Sequence, residues 1–280
     1  MTIAGILGIV NVTRDSFSDG GKFLDPDAAV AHARRIVADG ADVVDLGAES
    51  THPDSEDVSA EEETARLAPV IRQLKADGIR VSVDTYKPAV IRNVLELGAD
   101  YVNDITALRD SESIAAVRGR DAKLIIMHSR AAAARAGRAA ANPATIVDEI
   151  IHFFEQRIAT LTSAGIARQR LILDPGMGLF LGSNPEASLA VLRDLERLHR
   201  FDLPLLISTS RKSFIGAVLG STEAPRPVDQ RGSGTLATEI WALTHGAAYI
   251  RTHDVRALRD AMTVMAATAR TTTGGVDASP

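Results

Sequence analysis

Residues 171–182, LILDPGMGLFLG, join an apolar run to a polar ending and then to an apolar loop. The run at 171–173 has the composition of a buried strand, and it stops at Asp174. A proline and two glycines then lead into residues 179–181, Leu-Phe-Leu, which are more apolar than a solvated loop requires. The stretch predicts a buried strand whose last residue lies at the rim of a site.

The same ending recurs along the chain. Short apolar runs stop at a polar side chain in eight places, namely Asn11, Asp45, Asp84, Asn103, His128, Asp174, Ser208 and Arg251. The segments between these runs have helical periodicity. For example, apolar residues at 67, 70, 71 and 74 follow a capping-box start at Ser59 and Glu62. Strand and helix are therefore predicted to alternate.

Eight apolar strands, each followed by an amphipathic helix, are typical of a closed parallel barrel, because its strands are covered on both faces. We therefore predict an α/β fold, a (β/α)8 TIM barrel, as a single domain over residues 1–270 with a disordered tail at 271–280. A doubly wound open sheet is the alternative, although it usually has fewer strands. In both folds ligands bind at the carboxyl ends of the strands, so the polar endings are expected to meet at one mouth.

Composition narrows the functional classes. The formal net charge is −5 and acidic and basic residues are interspersed, which argues against nucleic acid as a partner. The chain has no cysteine, which excludes disulfides and zinc-thiolate sites. Its first residues, MTIAGILGIVNVTRDS, lack a basic leader, and their apolar stretch is too short to span a bilayer. We expect a soluble, cytoplasmic protein with no membrane partner.

The polar strand endings favour one ligand chemistry. Asp84, Asp104 and Asp174 supply carboxylates, and Asn103 supplies an amide. The donor edge of an aminopyrimidine presents two parallel N–H groups, so one carboxylate binds it through two hydrogen bonds. Carboxylates and an amide at one mouth therefore indicate a site for a planar nitrogen heterocycle.

Cations follow other strands. Arg251 and His253, beside the amide of Asn11, form a cluster suited to phosphates. The stretch SRKSFIG, residues 210–216, places a hydroxyl and cations before a helix start, which suits a carboxylate or a phosphate. A salt bridge between Arg251 and Asp174 that only stabilises the barrel is the alternative.

Two loops rich in Ser, Asp and Gly follow early strands, at 11–21 and 47–57. They are suited to closing over an anionic substrate that carries Mg²⁺, with Asn11, and also Asp15, near the metal. Solvated loops without a role in binding are the alternative.

Seven motifs, in order over about 250 residues, resemble those of the dihydropteroate synthase family: NVTRDSFSDGG, GAESTHP, SVDTYKP, YVNDI, LILDPGMG, STSRKSFIG and IRTHDV. The resemblance implies a (β/α)8 barrel that condenses 6-hydroxymethyl-7,8-dihydropterin pyrophosphate with 4-aminobenzoate, giving 7,8-dihydropteroate and pyrophosphate. It also implies small-molecule substrates, dependence on Mg²⁺ and a homodimer.

The resemblance assigns roles residue by residue. The pterin is expected to bind Asp84, Asn103, Asp174 and Lys212, and the pyrophosphate to bind Asn11, Arg251 and His253, with Mg²⁺ at Asn11. The 4-aminobenzoate is expected to contact Thr51, Pro53, Phe180, Ser210 and Arg211. Asp84, Lys212 and Arg251 are the expected catalytic residues, with Arg251 neutralising the leaving pyrophosphate and Asp84 stabilising the pterin cation.

The chain departs from the family pattern in three places. Arg14 replaces a proline, His52 replaces an arginine, and residues 179–182 read Leu-Phe-Leu-Gly, with about two extra residues and no lysine. Two of these departures lie on the 4-aminobenzoate side of the expected site, and none affects the pterin aspartates. In this the chain resembles the Sul-type synthases that confer sulfonamide resistance; drift in loop sequences is the alternative. We predict that the side chain of Phe180 sterically excludes sulfonamides from the 4-aminobenzoate site. The alternative is that residues 179–181 are only a hydrophobic plug beneath the loop.

Two other functions share part of this pattern. A corrinoid-dependent methyltransferase barrel would share the pterin aspartates and the asparagine but would not need SRKSFIG or the phosphate cluster. A non-catalytic pterin-binding homologue would keep the pocket and lose the loops. The presence of Lys212, Arg251, His253 and both loops favours the synthase.

Overall fold

The computed structural model describes residues 4–13, 25–49, 57–130 and 141–269. Within these ranges the strands are β1 (Gly5–Asn11), β2 (Val43–Gly47), β3 (Val81–Asp84), β4 (Tyr101–Asp104), β5 (Lys123–Met127), β6 (Leu171–Asp174), β7 (Leu206–Ile207) and β8 (Tyr249–Thr252). The helices are α1 (Pro26–Ala38), α2 (Ala60–Ala76), α3 (Pro88–Glu96), α4 (Ser111–Val117), α5 (Ile146–Ser163), α6 (Pro185–Arg193), α7 (Ser213–Leu219), α8 (Gly232–Thr244) and α9 (Val255–Thr268). The predicted tail at 271–280 lies outside the described residues.

The strands form one sheet in the order β6-β5-β4-β3-β2-β1-β8-β7, and each neighbouring pair is parallel. A parallel bridge between Leu173 and Leu205 links the two outermost strands and closes the sheet. The predicted (β/α)8 TIM barrel is therefore confirmed, and the open-sheet alternative is wrong.

The inside of the barrel is apolar at its amino-terminal end. Side chains from seven strands fill this level, namely Leu7, Val43, Tyr101, Ile125, Ile172, Leu206 and Tyr249. Gly5 makes room for this layer, because a Cβ atom at that position would lie 2.8 Å from the ring of Tyr249. Among the described residues this layer fills the amino-terminal end of the barrel, so a ligand is expected to enter from the carboxyl ends of the strands.

Local signals set the helix boundaries. The hydroxyl of Ser59 accepts a hydrogen bond from the backbone N–H of Glu62, which confirms the predicted start of α2. In α5 the residues with helical spacing, including Ile150, Phe154 and Leu161, are buried against the barrel. Among the described helices, none has the length and apolar character needed to cross a membrane.

The register of the sheet places polar residues at one level. Asn11 of β1 is paired with Gly47 of β2, Gly47 with Asp84 of β3, and Asp84 with Asn103 of β4. Asp174 ends β6 and is paired with Met127 of β5. These side chains therefore surround the mouth of the barrel at similar height.

Candidate active site

Arg251 joins two carboxylates across the barrel. Its Nε atom lies 2.6 Å from Oδ2 of Asp45, and its Nη2 atom lies 2.8 Å from Oδ2 of Asp84. Burial alone would lower the pKa of Arg251, but the carboxylates of Asp45 and Asp84 outweigh it and raise the pKa. The guanidinium is thus a permanent charge at the centre of the mouth.

Asp84, although paired with Arg251, has a pKa well above that of an ordinary aspartate. Burial raises its pKa to about 7, against the lowering effect of Arg251 and together with the nearby charges of Asp45 and Glu63. A carboxyl group with this pKa changes its charge easily when a ligand brings new charges or donors.

The turn that follows β6 fixes the position of the Asp174 carboxylate. Its Oδ1 atom accepts a hydrogen bond of 2.8 Å from the N–H of Gly176. Gly176 has a φ of +73°, and a Cβ atom there would lie 2.3 Å from the carbonyl oxygen of His128, so the turn requires glycine. Burial raises the pKa of Asp174 to about 6, opposed by the Gly176 hydrogen bond and by Lys212. The alternative considered from the sequence, a salt bridge between Arg251 and Asp174, does not form: Arg251 pairs with Asp45 and Asp84, and Asp174 accepts from the backbone of Gly176.

Asn103 offers an open acceptor. Its side chain is 3% exposed, and its Oδ1 atom has no hydrogen-bond partner among the described residues. A buried polar atom without a partner costs roughly 1–3 kcal/mol, so its retention in a concave mouth indicates that a ligand supplies the partner.

Asp104 does not belong to the mouth, contrary to the expectation from sequence. Its carboxylate accepts hydrogen bonds from the backbone N–H groups of Thr106 and Leu108 and from the Thr106 hydroxyl. Successive residues of a strand point to opposite faces, so Asn103 and Asp104 cannot both face the interior. Asp104 instead stabilises the turn after β4.

Lys212 and Phe180 lie together above Asp174. The Lys212 ammonium stands 5.0 Å from the centre of the Phe180 ring, a cation–π contact. Burial lowers the pKa of Lys212 to about 8, against the raising effect of Asp174. Phe180 itself is buried against three further side chains of the mouth, Tyr86, Ile105 and Met127. The expected wall residue therefore packs directly on an expected pterin ligand.

His253 lies among three cations. Its Nδ1 atom is 2.9 Å from Oγ of Ser210. Burial and the charges of Arg211, Arg251 and Lys212 lower its pKa to about 3. His253 is therefore neutral in the free protein and acts by hydrogen bonding, while its three neighbours supply the positive charge.

Arg211 has a backbone conformation that is rare outside glycine, with a φ of +58°. Its N–H donates to the hydroxyl of Thr235, and its carbonyl oxygen accepts from Nη1 of Arg231. Strained residues held in this way cluster at functional sites, since the surroundings fix the side chain's direction.

The remaining predicted site residues fall into two groups. Asn11 ends β1 at the mouth, where a Cβ atom on Gly47 would lie 3.9 Å from its Oδ1 atom. The absence of a side chain at position 47 leaves this amide oxygen accessible. Thr51 and Pro53, together with Arg14, Asp15 and His52, lie outside the described residues.

Sequence reasoning missed one residue of this centre. Asp45 was recognised as a strand ending but received no role, although it is fully buried and makes the shorter contact with Arg251. The available signal was an aspartate between Val44 and Leu46, since an isolated carboxylate inside an apolar strand needs a cation as partner.

Comparison with known proteins identifies the family. The family model described as "Pterin binding enzyme" matches residues 7–253. The chain is 51% identical to dihydropteroate synthase type-2 of Escherichia coli over 263 residues, covering 94% of this chain and 95% of that protein. It is 46% identical to dihydropteroate synthase type-3 of the same organism, covering 92% and 97%. The structure of Xanthomonas albilineans dihydropteroate synthase with 4-aminobenzoic acid superposes with a TM-score of 0.86 at 38% identity, covering 96% and 95%. The chain therefore belongs to the dihydropteroate synthases, transferases of the folate pathway.

Proposed function

We propose that this protein condenses 6-hydroxymethyl-7,8-dihydropterin pyrophosphate with 4-aminobenzoate to give 7,8-dihydropteroate and pyrophosphate. The observation that carries the proposal is the pairing of two kinds of subsite at one mouth. An open amide acceptor and buried carboxylates lie beside a cluster of cations around His253. The first suits a heterocycle with N–H donors and the second suits a diphosphate.

The pterin is held by Asp84, Asn103, Asp174 and Lys212. Asp174 takes the aminopyrimidine edge, because its carboxylate is an acceptor with two oxygens aimed from the end of β6. The open Oδ1 atom of Asn103 accepts one further ring N–H. Lys212 donates to an acceptor on the opposite edge of the heterocycle.

Arg251, His253 and Asn11 receive the pyrophosphate. Arg251 and the cations near His253 supply charge, and His253, being neutral, supplies a ring N–H. The amide oxygen of Asn11 is a suitable ligand for Mg²⁺, which usually takes one or two protein ligands and fills its other positions with water and substrate phosphates. Mg²⁺ bound there would neutralise charge on the departing phosphate oxygens. In the described part of the chain no cluster of three or more His, Cys, Asp or Glu side chains could hold a metal.

The reaction proceeds by departure of pyrophosphate before attack. The C–O bond at the pterin methylene breaks, and its electron pair leaves on the pyrophosphate oxygen next to Arg251. The carboxylate of Asp84, which contacts Arg251 at 2.8 Å, would stabilise the positive charge left on the pterin. The arylamine nitrogen, which is uncharged at neutral pH, then attacks the methylene without the help of a strong general base, and the protonated amine that results loses its proton to water.

The 4-aminobenzoate enters above the pterin. Arg211 and the start of α7 take its carboxylate, and Phe180, with Thr51 and Pro53, packs on its ring. Arg211 is suited to this because its backbone is fixed by Thr235 and Arg231, and a guanidinium binds a carboxylate through two parallel hydrogen bonds. The Ser210 hydroxyl, the remaining candidate for this contact, already has three neighbours within the protein.

The proposal is tested by mixing the purified protein with the pterin pyrophosphate, 4-aminobenzoate and Mg²⁺ and following pyrophosphate release. We expect release that requires both substrates. A methyltransferase barrel or a non-catalytic pterin-binding homologue would bind a pterin but release no pyrophosphate under these conditions. Binding of the pterin without release would therefore contradict the synthase assignment.

We further propose that the enzyme resists sulfonamides through Phe180. A sulfonamide copies 4-aminobenzoate but carries a tetrahedral, substituted sulfonyl group where the substrate has a flat carboxylate, so a rigid wall at that end rejects only the drug. Phe180 is fixed by Lys212 and by three apolar neighbours, so it cannot move aside easily. Likeness to the type-2 and type-3 enzymes supports this proposal.

Replacing Phe180 by alanine is expected to lower the inhibition constant of sulfamethoxazole by about 10- to 100-fold, since removing a clash of a few kcal/mol has that effect. The Michaelis constant for 4-aminobenzoate should change much less. The neighbouring Leu181 is left unchanged in this variant, because it is fully buried in the main core and its removal would disturb folding. Leu179→Ala, in the same turn, is the matched control. Equal insensitivity of the Phe180→Ala protein, when folded and active, would show that residues 179–181 are only a plug.

We also propose that the protein is a cytoplasmic homodimer. Light scattering coupled to size-exclusion chromatography of the purified chain measures its mass directly. A mass near twice 29.7 kDa is expected, and a mass near 29.7 kDa would exclude the dimer.

A further inference from the structure

A line of buried polar side chains runs behind the mouth from α8 to His253. Glu239 of α8 is 1% exposed, and its carboxyl group interacts with the side chain of Thr252. Oγ1 of Thr252 lies 3.4 Å from Oγ of Ser210, which lies 2.9 Å from Nδ1 of His253. The proposed binding contacts use neither Glu239 nor Thr252, so their burial needs another explanation.

The contacts of Ser210 determine which way its own proton points. Its Oγ atom accepts from the backbone N–H of His253 at 3.1 Å and from the hydroxyl of Thr252. A hydroxyl oxygen accepts two hydrogen bonds and donates one. The remaining neighbour, Nδ1 of His253, therefore receives the Ser210 proton. The proton of the neutral imidazole ring then lies on Nε2.

The contacts of Thr252 and Glu239, at the far end of the line, support the same direction of proton donation, toward His253. Oγ1 of Thr252 accepts from the backbone N–H of Asp254 at 3.2 Å. Burial raises the pKa of Glu239 to about 8, so at neutral pH its carboxyl group is mainly protonated and does not require the Thr252 proton. The Thr252 hydroxyl is then able to donate toward Ser210, as the geometry of that contact indicates.

We propose that Ser210 is a positioning residue, which donates to Nδ1 of His253 and holds the ring as the tautomer that carries its proton on Nε2. Phosphate oxygens only accept hydrogen bonds, so a pyrophosphate needs an N–H from this ring and is repelled by a lone pair. Glu239 and Thr252 orient the Ser210 hydroxyl. The identity of the ligand rests on the proposed function, whereas the tautomer does not.

Nitrogen NMR of protein labelled with ¹⁵N-histidine tests the tautomer directly, without substrate or activity. The His253 signals are identified by their loss in His253→Gln. We expect an unprotonated shift for Nδ1 and a protonated shift for Nε2 in the parent protein, and a mixture of tautomers in Ser210→Ala. A protonated Nδ1 in the parent, or an unchanged spectrum in folded Ser210→Ala, would overturn the proposal. The parent spectrum decides even if the variant does not fold.

Kinetics then separates positioning from direct substrate contact. Ser210→Ala is expected to lower kcat by about tenfold or more and to leave the Michaelis constant for 4-aminobenzoate unchanged within about twofold. A raised Michaelis constant for 4-aminobenzoate at normal kcat would instead assign Ser210 to that substrate and contradict the positioning role. Thr238→Val is the matched control, since it removes a neighbouring hydroxyl that bonds Thr209 and not His253. We expect it to retain the parent kcat.

Discussion

Replacing Asp174 by asparagine is expected to abolish turnover by removing pterin binding, while leaving the barrel at least as stable as the parent. The asparagine side chain presents an N–H₂ group toward an aminopyrimidine edge that also donates, so an attractive pair becomes repulsive. The amide oxygen of asparagine can still accept the hydrogen bond from Gly176, which leaves the turn intact.

The expected stability follows from the pKa of Asp174. Burial raises that pKa to about 6 from the ordinary value of 3.8, so the folded state binds more protons than the unfolded state between these values. Stability therefore falls as the pH rises through this window, by about 3 kcal/mol in all. Asp174→Asn carries no such charge. Its free energy of unfolding should match or exceed that of the parent at pH 8.

Titration calorimetry with the pterin substrate and thermal unfolding at pH 8 measure the two effects. Asp104→Asn is the control, because Asp104 is as buried as Asp174 but accepts its hydrogen bonds, among the described residues, from its own turn, so pterin affinity should be retained. Parent-like pterin affinity in Asp174→Asn would show that the assignment of this residue is wrong.

Replacing Arg251 by methionine is expected to reduce kcat by orders of magnitude and also to destabilise the protein. The guanidinium stabilises charge that develops on the departing pyrophosphate, and methionine cannot do so. The Arg251 guanidinium also neutralises Asp45 and Asp84, of which Asp45 is fully buried. Removing the cation from a buried ion pair typically costs about 3–5 kcal/mol.

The two effects of Arg251→Met can be separated. Asp84 has a pKa of about 7 even with Arg251 present, so without the cation it should protonate more readily, and the lost stability should recover partly as the pH is lowered. The double variant Arg251→Met with Asp45→Asn should recover stability at neutral pH but not turnover. Bare pterin binding should be weakened less than binding of the pyrophosphate. A normal kcat in either variant is incompatible with the proposed role.

The sequence predicted the barrel well because its signals are local and repeated. Eight apolar runs with polar endings, separated by helical segments, correspond to the eight observed strands. The mouth followed from the rule that parallel strands of one sheet present their carboxyl ends on one side. Asp84, Asn103, Asp174 and Arg251 were brought to the mouth by that rule alone.

The contacts within the mouth were harder to predict, because they depend on side-chain direction and on distant partners. Asp104 was misplaced since the run YVND does not reveal which residue points inward. The pairing of Arg251 with Asp45 joins residues 206 positions apart, from strands separated by β1. Glu239 gave no signal, as a single carboxylate in a helix is usually solvated.

A single turnover tests most directly the central claim that the carboxylates at the strand ends hold the pterin while Arg251 and its neighbours take the pyrophosphate. The protein, in excess over the pterin pyrophosphate and with Mg²⁺ and 4-aminobenzoate present, is quenched at intervals, and both products are quantified. We expect equal amounts of 7,8-dihydropteroate and pyrophosphate from the parent, and intact pterin pyrophosphate from the stable Arg251→Met, Asp45→Asn protein. Bound substrate that the parent fails to convert, or equal conversion by the double variant, would contradict this claim.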